Sequence, residues 1–175
     1  MMKNKPNSTS DFLLRKTPTG IKGLDEIISG GVPTGRPTLI SGCAGCGKTM
    51  MALEFLVRGA MQFDENGIFM MFEENAAELI TNAYSLGFNL EQLVAEKKIM
   101  LDYVHIERNE IEETGEYDLE GLFIRLRYAI ESIGAKRVVL DTIEALFAGF
   151  SDEAILRAEL RRLFRWLKNQ GMTAL

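Results

Sequence analysis

Apolar residues in this chain fall into two rhythms. Short runs read as strands: Thr38-Leu39-Ile40-Ser41, Gly67 to Phe72, Ile99 to Ile106, and Arg137-Val138-Val139-Leu140-Asp141. The run Gly67-Ile68-Phe69-Met70-Met71-Phe72 has no polar interruption, as in strands covered on both faces. Between the runs, apolar positions recur at spacings of three and four. Leu119, Leu122, Phe123, Leu126, Ile130 and Ile133 share one helical face, and Gly134 ends it. Helices are likewise expected over Ile21 to Ile28, Met50 to Met61, about Ala76 to Ser85, briefly after Asn89, and from Asp152 to Gln170 with Ser151 as N-cap. Gly30-Gly31 stops the first of these, and Pro33 keeps it from resuming. Strands alternating with helices predict an α/β fold: a mainly parallel, twisted sheet with right-handed crossovers and helices on both faces. Such sheets bind ligands at their carboxyl edge.

Residues 1–16 are dominated by Lys, Asn, Pro and Ser and are expected to be a flexible tail. Residues 17–175 then form one domain, with 46% apolar residues to supply its core. The closing Gly171-Met172-Thr173-Ala174-Leu175 reads as a strand begun and not finished, so the sequence is expected to be part of a longer polypeptide.

A net charge of -5 gives no overall positive field to gather nucleic acid or anionic lipid. Neither a secretory apolar region nor a run of membrane-spanning length is visible, and the default expectation is the cytoplasm. The basic residues of the last helix, Arg157, Arg161, Arg162, Arg165 and Lys168, could form a DNA-binding stripe. Glu153 and Glu159 interrupt it, which favours a solvated or subunit-facing surface. The acidic stretch Glu107 to Glu120 reads as a solvated loop or a dock for a basic partner. His105 reads as structural, with no second histidine to share a metal, and Trp166 as packing.

The chemistry concentrates in Gly42-Cys43-Ala44-Gly45-Cys46-Gly47-Lys48-Thr49, a G-x-x-x-x-G-K-T pattern between an expected strand and an expected helix starting near Met50. Glycines let backbone N–H groups turn inward on phosphates, Lys48 reaches the β and γ oxygens, and the Thr49 hydroxyl ligates Mg²⁺. The positive end of the helix dipole adds to the pull. Cys43 and Cys46 form a C-x-x-C pair, a spacing that elsewhere marks redox sites. They are either small fillers of the loop or a pair whose oxidation closes it.

Asp141, closing an apolar strand, fits the acid that holds Mg²⁺ opposite Thr49. Hydrolysis also needs a carboxylate to orient and deprotonate water beside the γ-phosphate. Glu73 and Glu74, at the end of a strand expected to neighbour the phosphate-loop strand, are the candidates. Two adjacent like charges raise the apparent pKa of the pair and improve it as a base. They could equally be solvated strand-end acids. With no N-K-x-D guanine-reading motif after the loop, ATP is favoured over GTP.

From Thr19 to Gly59 the chain carries T-G-I-x-G-L-D-E, a Gly-Gly-Val-Pro turn, the phosphate loop and Leu53-Glu54-Phe55-Leu56. Phe72-Glu73-Glu74, Gly87-Phe88, Tyr117-Asp118-Leu119 and Leu140-Asp141-Thr142 follow. In these features it resembles the RecA-like P-loop ATPases of the KaiC circadian clock family, in the register of the first of their two ATPase domains. The resemblance implies slow ATP hydrolysis in a hexameric ring of identical subunits, with paired catalytic glutamates carried over to Glu73 and Glu74. It implies clock or signalling partners, and a serine/threonine autokinase activity that belongs to the second domain. The basic residues that reach the neighbouring subunit's ATP lie in that family beyond the matched segment. Slower turnover than in an intact protein is therefore expected. A RecA- or RadA-type DNA-dependent ATPase and a non-hydrolysing nucleotide switch are the alternative readings.

Overall fold

The computed structural model describes residues 14–73, 76–104, 119–146 and 153–175. In chain order the elements are β1 (Lys16–Thr17), α1 (Leu24–Ile27), β2 (Val32–Pro33), α2 (Lys48–Gln62), β3 (Gly67–Met71), α3 (Ala76–Ser85), α4 (Leu90–Ala95), β4 (Ile99–Tyr103), α5 (Leu119–Ile133), β5 (Arg137–Asp141), α6 (Ile143–Leu146), α7 (Glu153–Asn169) and β6 (Thr173–Ala174). The main sheet has the order β4-β3-β5-β6, all parallel. Gly67 stands opposite both Ile99 and Arg137, and Arg137 opposite Thr173. The expected α/β architecture is thus the one observed.

β3 has every residue buried, and its alternation splits the apolar interior in two. Ile68 and Met70, with Phe72 just beyond the strand and Val138 and Leu140 of β5, face Leu122, Phe123 and Leu126 of α5 and Leu163 and Leu167 of α7. Phe69 and Met71, with Val139, face Leu53, Phe55 and Leu56 of α2, Leu79 of α3 and Leu90 of α4. Each such buried side chain contributes about 1.5–3 kcal/mol. That is why an unbroken apolar run can form a strand only where helices cover both faces. Trp166 packs as expected, stacked on Phe123 with ring centroids 5.1 Å apart. Asn89 caps α4, its side chain accepting from the Gln92 amide.

Several boundaries move. The expected strand Thr38–Ser41 is reduced to a bridge of Pro37 to Ala174 and one bond from the Thr38 amide to the Ala174 carbonyl. β6, the only strand beside it among the described residues, offers Leu39 and Ile40 nothing to pair with, and Leu39 is exposed. Glu73 follows β3, which is therefore not the neighbour of that segment: β5 and β6 lie between. Lys16, assigned to the tail, pairs with Pro33 in the antiparallel ribbon β1–β2. Thr17 of that ribbon bonds the hydroxyls of Thr34 (2.9 Å) and Thr173 (3.3 Å), pinning it to β6. The first helix is only one turn, and α6 has no counterpart among the expected elements. His105, Ser151 and the segment 107–118 lie outside the described residues.

One buried charge orients α2 against β5. Arg137, fully buried, donates from Nε to Glu65 (2.7 Å) and from Nη1 to the Phe55 carbonyl (2.9 Å), with its guanidinium 4.5 Å from the Phe55 ring centroid. Burial lowers its pKa against the opposing pull of Glu65. Gly59 of α2 packs directly on this side chain.

Candidate functional site

The phosphate-loop segment leads from Pro37, beside β6, straight into α2. Gly47 is the N-cap of α2, in the left-handed region at φ 90°, with no side chain capping the helix. The first amides of α2 therefore stay open to a ligand at the positive end of the helix dipole. Gly45 is also left-handed, at φ 75°, and a Cβ on either glycine would meet nothing within 4 Å. Glycine is thus needed here for backbone conformation and not to relieve a side-chain clash.

Lys48 donates from Nζ to the carbonyls of Gly42 (2.8 Å) and Cys43 (3.1 Å), and the Cys46 amide donates to the same Cys43 carbonyl (3.3 Å). Residues 42–47, Ala44 included, are exposed, whereas Lys48, Thr49 and Met50 are half-buried. Met50 packs its side chain against the α2 core, leaving only its backbone to a ligand.

Asp141 ends β5 beside this loop. Burial pushes its carboxyl above the ordinary range, the negative charges of Glu73 and Glu144 push the same way, and the Thr49 hydroxyl and Lys48 ammonium oppose them. Lys48, Thr49, Glu73 and Asp141 are therefore brought into one electrostatic neighbourhood. Glu144, on α6, belongs to it too and was missed by sequence reasoning; its place three residues after Asp141, in the first turn of a short helix, was the available signal. The Phe72 amide donates to the Asp141 carbonyl (3.0 Å), tying the approach to Glu73 onto β5. Glu74 lies outside the described residues.

A carboxylate crowded by two others and faced by a hydroxyl suits a divalent cation, which would relieve the repulsion. Among the described residues no group of three or more His, Cys, Asp or Glu could hold a metal ion. Thr49 and Asp141 would hold Mg²⁺ only together with oxygens from phosphate and water. The loop opens on a mostly apolar cleft of about 240 Å3, lined by Leu39, Ile40, Phe164 and Leu175 and also by Lys48, Asp141 and Glu144.

A glycine-rich loop at the carboxyl edge of a parallel sheet, opening a helix and facing a strand-end acid, defines the RecA-like P-loop class. The chain belongs to the KaiC family within it: the family model described as "ATPase: KaiC" matches residues 17–175. It is 60% identical over 168 residues to "Circadian clock protein KaiC2" of Synechocystis sp., an alignment covering 96% of this chain and 30% of that protein. It is 40% identical over 173 residues to "Circadian clock oscillator protein KaiC" of Prochlorococcus marinus, covering 99% of this chain and 35% of that one. With the KaiC of Thermosynechococcus vestitus the identity is 38% over 172 residues, covering 98% and 33%. The chain thus spans about a third of the length of the relatives it matches. Among the described residues no helix is long and apolar enough to cross a membrane.

Proposed function

We propose that this domain binds Mg-ATP in the loop from Gly42 to Thr49 and hydrolyses it slowly. The observation that carries this reading is the convergence of Lys48, Thr49, Glu73 and Asp141 at the start of α2, whose N-terminus no side chain caps. In this reading Lys48 exchanges its two carbonyl acceptors for the β and γ oxygens, and Met50 contributes its backbone alone. Thr49 and Asp141 would hold Mg²⁺, which would supply neutralisation of phosphate charge. Glu73, with Glu74, orients a water and accepts its proton. The whole protein, in the cytoplasm, would assemble as a ring of identical subunits, a hexamer in the family's manner. It would act in a clock or signalling process, with any serine/threonine kinase activity residing outside this segment. Nucleic acid is not the expected partner. Arg162 of α7 is engaged by Glu120 and Glu159, so part of the basic stripe is already neutralised.

The test is calorimetry with Mg-ATP together with phosphate release, with and without single-stranded DNA. Lys48→Ala should weaken binding about tenfold to a hundredfold, the loss of charge-assisted hydrogen bonds. Glu73→Gln/Glu74→Gln should retain binding and slow release about a hundredfold or more. No uptake of Mg-ATP by the folded parent refutes the reading. Release stimulated by DNA would favour a DNA-dependent ATPase, and tight binding without release a nucleotide switch.

A further inference from the structure

We propose that Cys43 and Cys46 form a reversible disulfide that locks the loop in its closed turn and excludes the nucleotide, an inference that rests on the loop being the nucleotide site. Both cysteines are exposed and therefore within reach of a soluble oxidant. The Cys46 amide donates to the Cys43 carbonyl, and Gly45, at φ 75°, sits where a type II turn demands a left-handed residue. Such a turn holds its end Cα atoms within about 7 Å. Disulfides span about 4.4–6.8 Å between Cα atoms, so little backbone movement is needed to join them. The Cys46 sulfur lies over Gly42, the residue before Cys43: a Cβ on Gly42 would lie 2.6 Å from it. A metal is the other customary occupant of C-x-x-C, but among the described residues no further ligands gather there.

The consequence for binding follows from where the donors point. The Cys46 amide and the Lys48 ammonium both converge on the Cys43 carbonyl. Gripping a polyphosphate requires that carbonyl to release both donors. A bond between the two side chains holds Cys43 and Cys46 in the turn and keeps the Cys46 amide turned on the protein itself. The oxidant is a low-molecular-weight disulfide such as oxidised glutathione. One cysteine thiolate attacks it and expels a glutathione thiolate; the second cysteine then attacks the mixed disulfide and expels the other. Two protein thiols are oxidised to one disulfide, one glutathione disulfide is reduced to two thiols, and the protons pass to the released thiolates. Exposure of the product leaves it open to the reverse exchange.

The protein is equilibrated in glutathione buffers of rising oxidised fraction, its free thiols are counted by alkylation and mass spectrometry, and its Mg-ATP affinity is measured by calorimetry. The expected result is loss of both thiols with a mass decrease of two hydrogens, an affinity lower by about tenfold or more, and recovery with dithiothreitol. Cys43→Ser and Cys46→Ser, each compared only with itself, should show no oxidant-dependent change of affinity beyond that of a glutathione adduct. Two thiols that stay alkylatable, or that end as glutathione adducts without an internal bond, overturn the proposal. So does an internal bond that leaves affinity unchanged. If the reduced protein takes up no Mg-ATP, the nucleotide reading falls and the regulatory half falls with it, while the thiol count still decides the bond.

Discussion

Replacing Gly59 with alanine sets two effects of opposite sign against each other. In a helix interior alanine is favoured over glycine by about 1 kcal/mol. The new methyl, however, would lie 2.5 Å from Nε, 2.6 Å from Cδ and 2.8 Å from Cζ of Arg137. That side chain has nowhere to retreat: it is fully buried, held by Glu65 and the Phe55 carbonyl, and stacked on the Phe55 ring. Overpacking of this kind costs about 1–3 kcal/mol, and full loss of a buried ion pair about 3–5 kcal/mol. Because Glu65 is partly exposed, the pair weakens rather than vanishes, and a net destabilisation of about 2–4 kcal/mol is expected. Gly121 supplies the control. It lies in α5, exposed, with nothing within 4 Å of its missing Cβ, so Gly121→Ala should gain up to about 1 kcal/mol. Urea unfolding followed by the fluorescence of Trp166 reads both variants. A Gly59→Ala protein as stable as the parent would refute the account of Arg137 as a fixed wall. Since Gly59 stands about 16 Å along the helix from Lys48, the same variant should also tilt the loop and weaken Mg-ATP binding.

Asp141→Asn tests the electrostatics of the site. Burial raises the folded pKa of Asp141, so its ionisation opposes folding: stability declines as pH rises from the ordinary carboxylate value through the folded one, and stays lower at neutral pH. The variant should therefore melt higher than the parent at pH 7 without nucleotide and gain less from Mg-ATP. An unchanged or lower melting temperature sinks the burial argument. Asp25 has the opposite sign. Burial pushes its carboxyl up, but hydrogen bonds from the Thr19 amide and hydroxyl and the Gly20 amide together outweigh that and hold it low. Its contribution is complete above the ordinary value near pH 4 and lost as pH falls through the folded pKa. Asp25→Asn should flatten that acid limb in urea midpoints measured against pH. Asn89→Ala removes the α4 cap, about 1 kcal/mol in the same unfolding assay, with nucleotide affinity unchanged.

What could be read from the sequence was whatever a single residue type must supply. Left-handed backbone at the loop calls for glycine at 45 and 47, and a strand covered on both faces calls for an unbroken apolar run at 67–72. A strand-end acid shows itself by ending Val138-Val139-Leu140. What escaped depends on partners distant in the chain. Arg137 looks like a solvated first residue of a strand, and Glu65, Phe55 and Phe63 are what make its burial tolerable. Thr38–Ser41 has a strand's composition, but a ladder needs a neighbour, and among the described residues only Thr38 finds one. Strand order is likewise invisible to periodicity: nothing in the run ending at Phe72 reveals that β5 and β6 stand between it and the phosphate-loop segment.

The zero-offset register of β3 and β5 sets Met71 against Asp141, and one further bond ties Phe72 to the Asp141 backbone. The chain leading to Glu73 and the strand bearing Asp141 thus form a stiff anvil whose spacing changes only if the ladder breaks. Lys48 and the loop, held by two carbonyl contacts, are the part that yields. Whatever adjusts this site from outside must push on the loop, because the anvil cannot be tuned without melting the sheet.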